Sequence, residues 1–491
     1  MKKFLLSIMI PVALCLASCD DETGGERGNP NGILSFSVDT ISFDTLLTTV
    51  SSPVKAFRVH NRNNRQLVVS SVYLEDKENS PFRINVDGYA GQHFENIEIR
   101  ANDSIYVMVD VKPNEQGTAE ITRISDKIVF VVGEVIQKII LEAYGQDVFR
   151  YEELLVDRDT VLSAEKPYLI TGKIEVAADA TLNVPEGTVF YMYNNAEVIV
   201  NGRVKMAGTV EKPIVFRGSR TDYLPLEKRI PYDLIPNQWG GIRFGADSYG
   251  NEMENVRVRN GKFGIAFDIS TPDRKKAVLK NTIITNVSGS LLHAVNCNIS
   301  AENCEFSNSG SASLILAGGM YDFTHCTMAN YYPSFPEAGW KRSEHQVLVL
   351  ANSITVTDEN QGQVQVACPL EKADFSNTIL ASIKPDMALL AIKMEEYALN
   401  YHLNNCILTD NSIEDENFVD CIQGANPDSL FVDSKGSDAD NEDFLFDFRL
   451  KENSPARNTA SLNISQSTPL DMLGRNRLAD GNPDVGAYEK E

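Results

Sequence analysis

Asn281-Thr282-Ile283-Ile284-Thr285-Asn286 returns as Asn303-Cys304-Glu305-Phe306-Ser307-Asn308 and again as His325-Cys326-Thr327-Met328-Ala329-Asn330, each copy 22 positions after the last. Self-similarity at a fixed period in this range marks a solenoid, in which each repeat buries its apolar face only against its neighbours. Short β-prone runs such as Ser313-Leu314-Ile315-Leu316 alternate with Ser, Asn and Gly, and no run of helical period stands between them. One period is therefore several strands and turns, which is one coil of a parallel β-helix.

Outward from this stretch, the coils align on the residue after the recurrent Asn: Val256, Thr282, Cys304, Cys326, Ser353, Thr378 and Cys406. The spacings of 22 to 28 residues keep the coil constant and vary only its turns. Parallel strands stack about 4.8 Å apart, and a small or thiol side chain at each of these positions suits a narrow interior. The preceding residues, Asn255, Asn281, Asn303, His325, Asn352, Asn377 and Asn405, are expected to form a ladder of hydrogen-bonded side chains at the turn, His325 filling one slot. Six Cys lie beyond residue 19, at 297, 304, 326, 368, 406 and 421. An oxidising compartment permits disulfides. Three of the six fall in the inward column and none has CxxC spacing, so those three read as buried thiols.

Before the aligned coils come Leu182-Asn183-Val184-Pro185-Glu186-Gly187-Thr188, Val198-Ile199-Val200-Asn201-Gly202-Arg203-Val204, Ala207-Gly208-Thr209 with Lys212-Pro213-Ile214-Val215-Phe216, and Trp239-Gly240-Gly241-Ile242-Arg243-Phe244. This series resembles the opening coils of right-handed parallel β-helix proteins of the pectin lyase-like class. After them, Asp447-Phe448-Arg449-Leu450, Asn453-Ser454-Pro455-Ala456, Asp471-Met472-Leu473-Gly474-Arg475 and Asp484-Val485-Gly486-Ala487-Tyr488-Glu489 resemble the terminal segment of secreted β-helix proteins. A solenoid's last coil has an open edge, so this segment is expected to cap it. Asp471 and Asp484 offer carboxylates to a Ca²⁺ ion, but an Asp–Arg tie is the simpler use, and no cofactor is expected.

The chain starts with Lys2-Lys3, an apolar run from Phe4 to Leu16, and Leu16-Ala17-Ser18-Cys19. That is the plan of a secretory signal, too short for a membrane span. The last four residues resemble a bacterial lipobox, which implies cleavage after Ser18 and a lipid on Cys19. Asp20-Asp21-Glu22 resemble the export signal of lipoproteins that face outward from the outer membrane. Residues 19–32 read as a tether. From 33 to 147, some seven short alternating runs such as Ile105-Tyr106-Val107-Met108-Val109 and Lys127-Ile128-Val129-Phe130-Val131 argue for an antiparallel β-sandwich. Asp103-Ser104-Ile105-Tyr106-Val107 and Glu142-Ala143-Tyr144-Gly145-Gln146-Asp147 make it resemble the immunoglobulin-like domain that precedes many bacterial β-helices. The fold class is thus all-β: signal peptide 1–18, tether 19–32, sandwich 33–147, single-stranded right-handed parallel β-helix 148–460 and cap 461–491.

The net charge of −23 becomes −25 once Lys2 and Lys3 leave with the signal, and a surface of that sign repels phosphate backbones, which argues against nucleic acid as a partner. Two long insertions break the coil rhythm. Gly218–Gln238 carries Tyr223, Lys228, Arg229 and Tyr232; Tyr331–Gln346 carries Tyr331, Tyr332, Trp340, Lys341, Arg342 and His345. Loops of this length are often functional, and aromatic and basic residues on an acidic protein suit stacking on sugar rings and gripping an anionic polymer. Nine of these (Tyr223, Lys228, Arg229, Tyr232, Tyr331, Tyr332, Trp340, Lys341, Arg342) are the candidate ligand-binding residues.

The pectin lyase-like resemblance implies enzymes that cut acidic polysaccharides, yet their hydrolase motifs, an Asn-Thr-Asp, an Asp-Asp and a Gly-His-Gly stretch, are absent from residues 148–491. A lyase needs an Arg or Lys base among carboxylates on one face. Asp268, Asp322 and Asp374 are candidates, each isolated in sequence. The expectation is a surface lipoprotein, anchored in the outer membrane through Cys19, that binds a glycan or a surface protein without catalysis. The alternative is a polysaccharide lyase or glycoside hydrolase acting on an acidic polysaccharide.

Overall fold

The structure, a computed structural model, describes residues 32–224, 230–332, 344–358, 362–411, 415–434 and 446–490. The chain divides into two compact units. The first comprises Met1–Phe43, Thr49–Asn114 and Arg123–Tyr144; the second Asp44–Thr48, Glu115–Thr122 and Gly145–Glu491.

The N-terminal strands form two antiparallel five-stranded sheets. One orders Ser35–Phe36, Lys55–His60, Ser104–Val111, Phe82–Val86 and Tyr89–Gly91; the other Thr40–Leu47, Val135–Gln146, Thr122–Val132, Leu67–Leu74 and His93–Ile99. Alternate residues such as Ile105, Val107, Val109 and Val111 turn inward. Rings from the two sheets meet: Phe36 lies 5.0 Å from Phe130, and Phe57 6.4 Å from the same ring. This is the face-to-face packing of a sandwich.

The rest is organised by one sheet of 25 strands wound through parallel pairings. It begins with Phe149–Val156 on Tyr168–Val176 and ends with Phe418–Val419 beside His402–Asn404. Three strands make a coil. In the coils between residues 292 and 330 the first lies in Leu292–Glu302 and Leu314–Thr324 up to residues 295 and 317, the second in the same long strands after a corner, and the third in Glu305–Ser309 and Thr327–Asn330. Inward residues fuse into one core from Val156 to Leu408, with aromatic rings stacked coil on coil, Phe190 on Phe216 at 4.4 Å and Phe323 on Phe375 at 5.3 Å.

The column of small residues is present with one change. Pairing of 257 with 283, 283 with 305, 305 with 327, 327 with 379 and 379 with 407 stacks Val256, Thr282, Cys304, Cys326, Thr378 and Cys406. Ser353 is not in it. It opens an antiparallel hairpin, Ser353–Asp358 with Gly362–Ala367, inserted at the corner between the first and second strands of its coil. Asn352 there follows Ala351, the partner of Ala317, so it belongs to the corner of Asn296 and Gly318. An Asn before a small residue marks both kinds of corner, so residue type alone does not separate them.

The expected ladder of amides also takes a different form. Asn255, Asn281, Asn303, His325, Asn377 and Asn405 all have φ between 46° and 52°, the left-handed conformation that Asn tolerates best among non-glycine residues. Their shared task is to turn the backbone. The side chains go elsewhere: Asn255 Nδ2 donates to Gly208 O, Asn303 Nδ2 to Leu470 O, and of the ladder only His325 and Asn377 are joined directly, at 3.0 Å. His325 is buried, its Nε2 between Asn377 and Ser465 Oγ, and burial holds its pKa well below the usual histidine range.

After the parallel bridge at Ile422 the chain leaves the stack. Phe431–Asp433 pairs antiparallel with Asp447–Leu450, and the following residues run along the side of the coils, where the sequence suggests closure of the open end. Arg477 donates to Asn303 Oδ1, Ala487 N to Thr327 Oγ1 and Gly486 N to Asn377 O, and Tyr488 OH bonds to the Glu305 carboxylate. The segment covers an apolar strip of third-strand residues, Ala329, Ile379, Ala381 and Ile407, which join its own Phe431, Phe448, Met472 and Val485 in a second core. Asp471 and Asp484 accept backbone N–H groups, from Leu473, Arg475 and Glu489 and from Asn458 and Lys490.

Candidate functional site

Both insertions leave the coil at the same corner. Gly218, Asn260, Asn286, Asn308 and Asn330 stand at that corner, at or beside the ends of the third strands, and Gly218 N donates to Asn260 Oδ1. These asparagines hold the insertions by their side chains: Asn260 Nδ2 donates to Asp233 O and Ile235 O, Asn286 Nδ2 to Asp233 O, and Asn308 Oδ1 accepts from Tyr331 N.

The candidate ligand-binding residues separate into three groups. Lys228, Arg229, Trp340, Lys341 and Arg342, like Cys19, lie outside the described residues. Tyr331 and Tyr332 are corrections: at 2% and 5% exposure they offer no free face, and Tyr331 packs on Phe431 and Phe448 with its hydroxyl donating to Pro427 O. They follow the last strand residue directly, and the apolar C-terminal segment covers that end of the face. Tyr223 is 40% exposed, while Tyr232 carries the Arg220 guanidinium 3.5 Å from its ring centre and packs in a small cluster with Ile230 and Ile235.

The cavity on this side lies one step further along the same face. Outward positions of successive third strands read Arg257, Ile283, Glu305, Thr327, Ile379 in one column and Arg217, Arg259, Thr285, Ser307, Ala329 in the next. Where the columns turn from apolar to charged, the C-terminal cover ends, and a cavity of about 450 Å³ opens. Its floor is Arg257, Arg259, Thr285 and Glu305; one wall is Asp233 and Leu234 of the first insertion, and the other is Phe446–Arg449 with Tyr488 of the C-terminal segment.

Its charges are unevenly paired. Asp233 Oδ1 takes Arg259 Nε at 2.7 Å and Arg217 at 3.1 Å, and Asp447 takes Arg449 Nε through both oxygens, at 2.9 and 3.1 Å. Burial works to raise the pKa of Asp447, but the hydrogen bonds and charge of Arg449 outweigh it and hold the carboxyl below its usual range. Glu305 accepts from Ser307 Oγ at 2.6 Å and meets Tyr488 OH, and burial pushes it toward its neutral form. Arg257 acts on Glu305 only through space: among the described residues it has no hydrogen bond or ion pair. The cavity therefore presents one guanidinium without a matching carboxylate, on a chain of net charge −23.

A second constellation stands on the open face of the second strands. Asp322, Asp374 and His402 are register neighbours on three successive coils. Lys372 Nζ bridges the two carboxylates, bonding Asp322 and lying 3.3 Å from Asp374, and Asp374 Oδ1 takes Nδ1 of His402 at 3.1 Å. These bonds leave the second imidazole nitrogen of His402 without a partner among the described residues. Of the three acids isolated in sequence the structure thus unites two. Asp268 pairs with Arg243 at 2.9 Å on another face.

No protein-family model matches the sequence, and no curated protein matches it. Among solved structures, the catalytic domain of a GH87 alpha-1,3-glucanase in complex with nigerose aligns with 72% of this chain and 91% of its own at 7% identity and a TM-score of 0.19. The E. coli chaperone DraB aligns with 24% of this chain at 11% identity and a TM-score of 0.17, and a family 123 glycoside hydrolase from Clostridium perfringens with 25% at 9% and 0.17. The chain spans 55% of the chaperone's length and 26% of that hydrolase's. Likenesses at these scores carry no functional weight, and the reading below rests on the cavity and its charges.

Proposed function

We propose that this chain is a lipid-anchored protein of the outer-membrane surface that holds an acidic glycan in the cavity beside its C-terminal segment. The observation that supports the reading is Arg257, whose planar fork of donors matches a carboxylate or sulfate and lacks a partner among the described residues. Glu305 meets Arg257 only through space, and burial raises its pKa. The cavity volume falls within the usual range for small-ligand sites, so it takes a short stretch or an end of a sugar chain. The half-buried ring of Phe446 in the wall gives an apolar face for a sugar ring. Lipidation at Cys19 and the surface address are part of the proposal and rest on the signal and lipobox residues alone.

Titration of the protein with uronate-bearing, sulfated and neutral oligosaccharides tests this reading. Arg257→Gln is expected to weaken binding of the anionic ligand at least tenfold with little change in melting temperature. Equal affinity for neutral and anionic sugars, or an unaffected variant, overturns it.

The alternative, cleavage of the glycan, is favoured by one specific observation. In the Asp322–Lys372–Asp374–His402 group, Asp374 fixes one imidazole nitrogen and leaves the other as a base. New reducing ends or unsaturated products in the same titration, lost in His402→Gln, would select this reading.

A further inference from the structure

The inner column does not end at Cys406. Ile422 N donates to Cys406 O, Leu408 N to Ile422 O, and residues 407 and 422 form a parallel bridge, so Cys421 stacks directly on Cys406 as the last residue of the column. Cys406 belongs to the solenoid core, and Cys421 packs against that core at its end. Neighbouring strands place Cα atoms about 4.8 Å apart, inside the span that a disulfide bridges. The two differ in access: Cys406 is buried, while Cys421 is half-buried two residues past Phe418–Val419, the final strand of the 25-stranded sheet.

From this juxtaposition we infer that Cys406 and Cys421 form a disulfide that fastens the last strand to the stack, beyond anything the glycan reading requires. The bond is made by thiol–disulfide exchange with a small disulfide such as oxidised glutathione. The Cys421 thiolate attacks one reagent sulfur, forms a mixed disulfide and expels one thiolate. The Cys406 sulfur then attacks Cys421, closes the protein S–S bond and expels the second; the leaving thiolates take up the two protons. Two protein S–H bonds are exchanged for one S–S bond, and the reagent is reduced to two thiols.

Access and reactivity agree on which sulfur begins. The neighbouring Cys406 thiol draws Cys421 below the usual thiol range, whereas burial pushes Cys406 well above it. The adjacent pair Cys304 and Cys326 supplies an internal contrast. They stack in the same column but are both sealed, and burial raises Cys326 far from its thiolate form.

The full chain, purified without reductant and incubated with oxidised glutathione, is alkylated in denaturant and cut at glutamate, which cleaves between the two Cys at Glu414 and Glu416. The expected result is a pair of peptides joined through Cys406 and Cys421, lighter than their sum by two hydrogens, with Cys304 and Cys326 alkylated. Cys406→Ser is expected to stop at a glutathione adduct on Cys421. Two separate, fully alkylated peptides in the wild-type chain overturn the inference, and so does a wild-type chain that halts at the adduct.

Discussion

Arg477→Ala tests whether the C-terminal segment is held to the coils by one buried guanidinium. Arg477 has no exposed side-chain surface and donates to Asn303 Oδ1 and Gly486 O at 2.9 Å, Asp484 O at 3.3 Å and the Glu489 carboxylate at 3.4 Å. Each lost bond is worth about 1 kcal/mol net, and more where the acceptor stays buried and unpaired, so local attachment should weaken by about 3 kcal/mol. The loss should grow with pH. Burial and the nearby Asp484 outweigh Arg477 and raise Glu489 from 4.5 to about 7. A raised folded pKa means that its contribution to stability is complete below about 4.5 and is lost as pH climbs through about 7. Without Arg477 that pKa rises further, so the variant must keep a proton or bury a bare charge, at about 1.4 kcal/mol per pH unit. Hydrogen exchange of Gly486 and Ala487, whose amides bond to Asn377 O and Thr327 Oγ1, reads the attachment directly. Protection should fall about 100-fold at pH 5 and further, relative to wild type, at pH 9. A loss under fivefold at pH 5, or one equal at both pH values, refutes the account.

Asn281→Ala should cost about 1 kcal/mol or more in urea unfolding, because φ is 47° there, while Asn281→Gly should be nearly neutral; equal costs would return the role to the amide. Tyr331→Ala should lower stability by about 3 to 5 kcal/mol, as expected of a buried ring against Phe431 and Phe448, and an unchanged melting temperature would restore it as a ligand face. Lys372→Ala should change stability by under about 1 kcal/mol because its ion pairs are exposed, so any loss of glycan cleavage in that variant, measured by reducing ends, belongs to chemistry rather than folding.

The solenoid was legible because its cause is local: three short strands and an αL corner repeat every 22 residues from 281 to 330, and Cys304 and Cys326 stack as that period requires. The same logic hid the second constellation. Asp322 and Asp374 are 52 positions apart in sequence, and only removal of the hairpin at Ser353–Ala367 and the Tyr331–Gln346 insertion makes them neighbours. Asn352 preserves the local cue at a different corner, so the period count slips there. The cavity was hidden for another reason. Its walls come from residues near 233, 447 and 488, and nothing in the coil repeat says where a lateral segment will lie. One signal was present: along the third strands the outward residues change from Arg257 and Arg259 through Glu305 to Ile379 and Ala381, a charged half and an apolar half on one face. An apolar half must be covered and a charged half need not be. The boundary between them, at Glu305, is where a cover must end and a cleft begin, and that is where Tyr488 closes on the carboxylate and Arg257 stands beyond it.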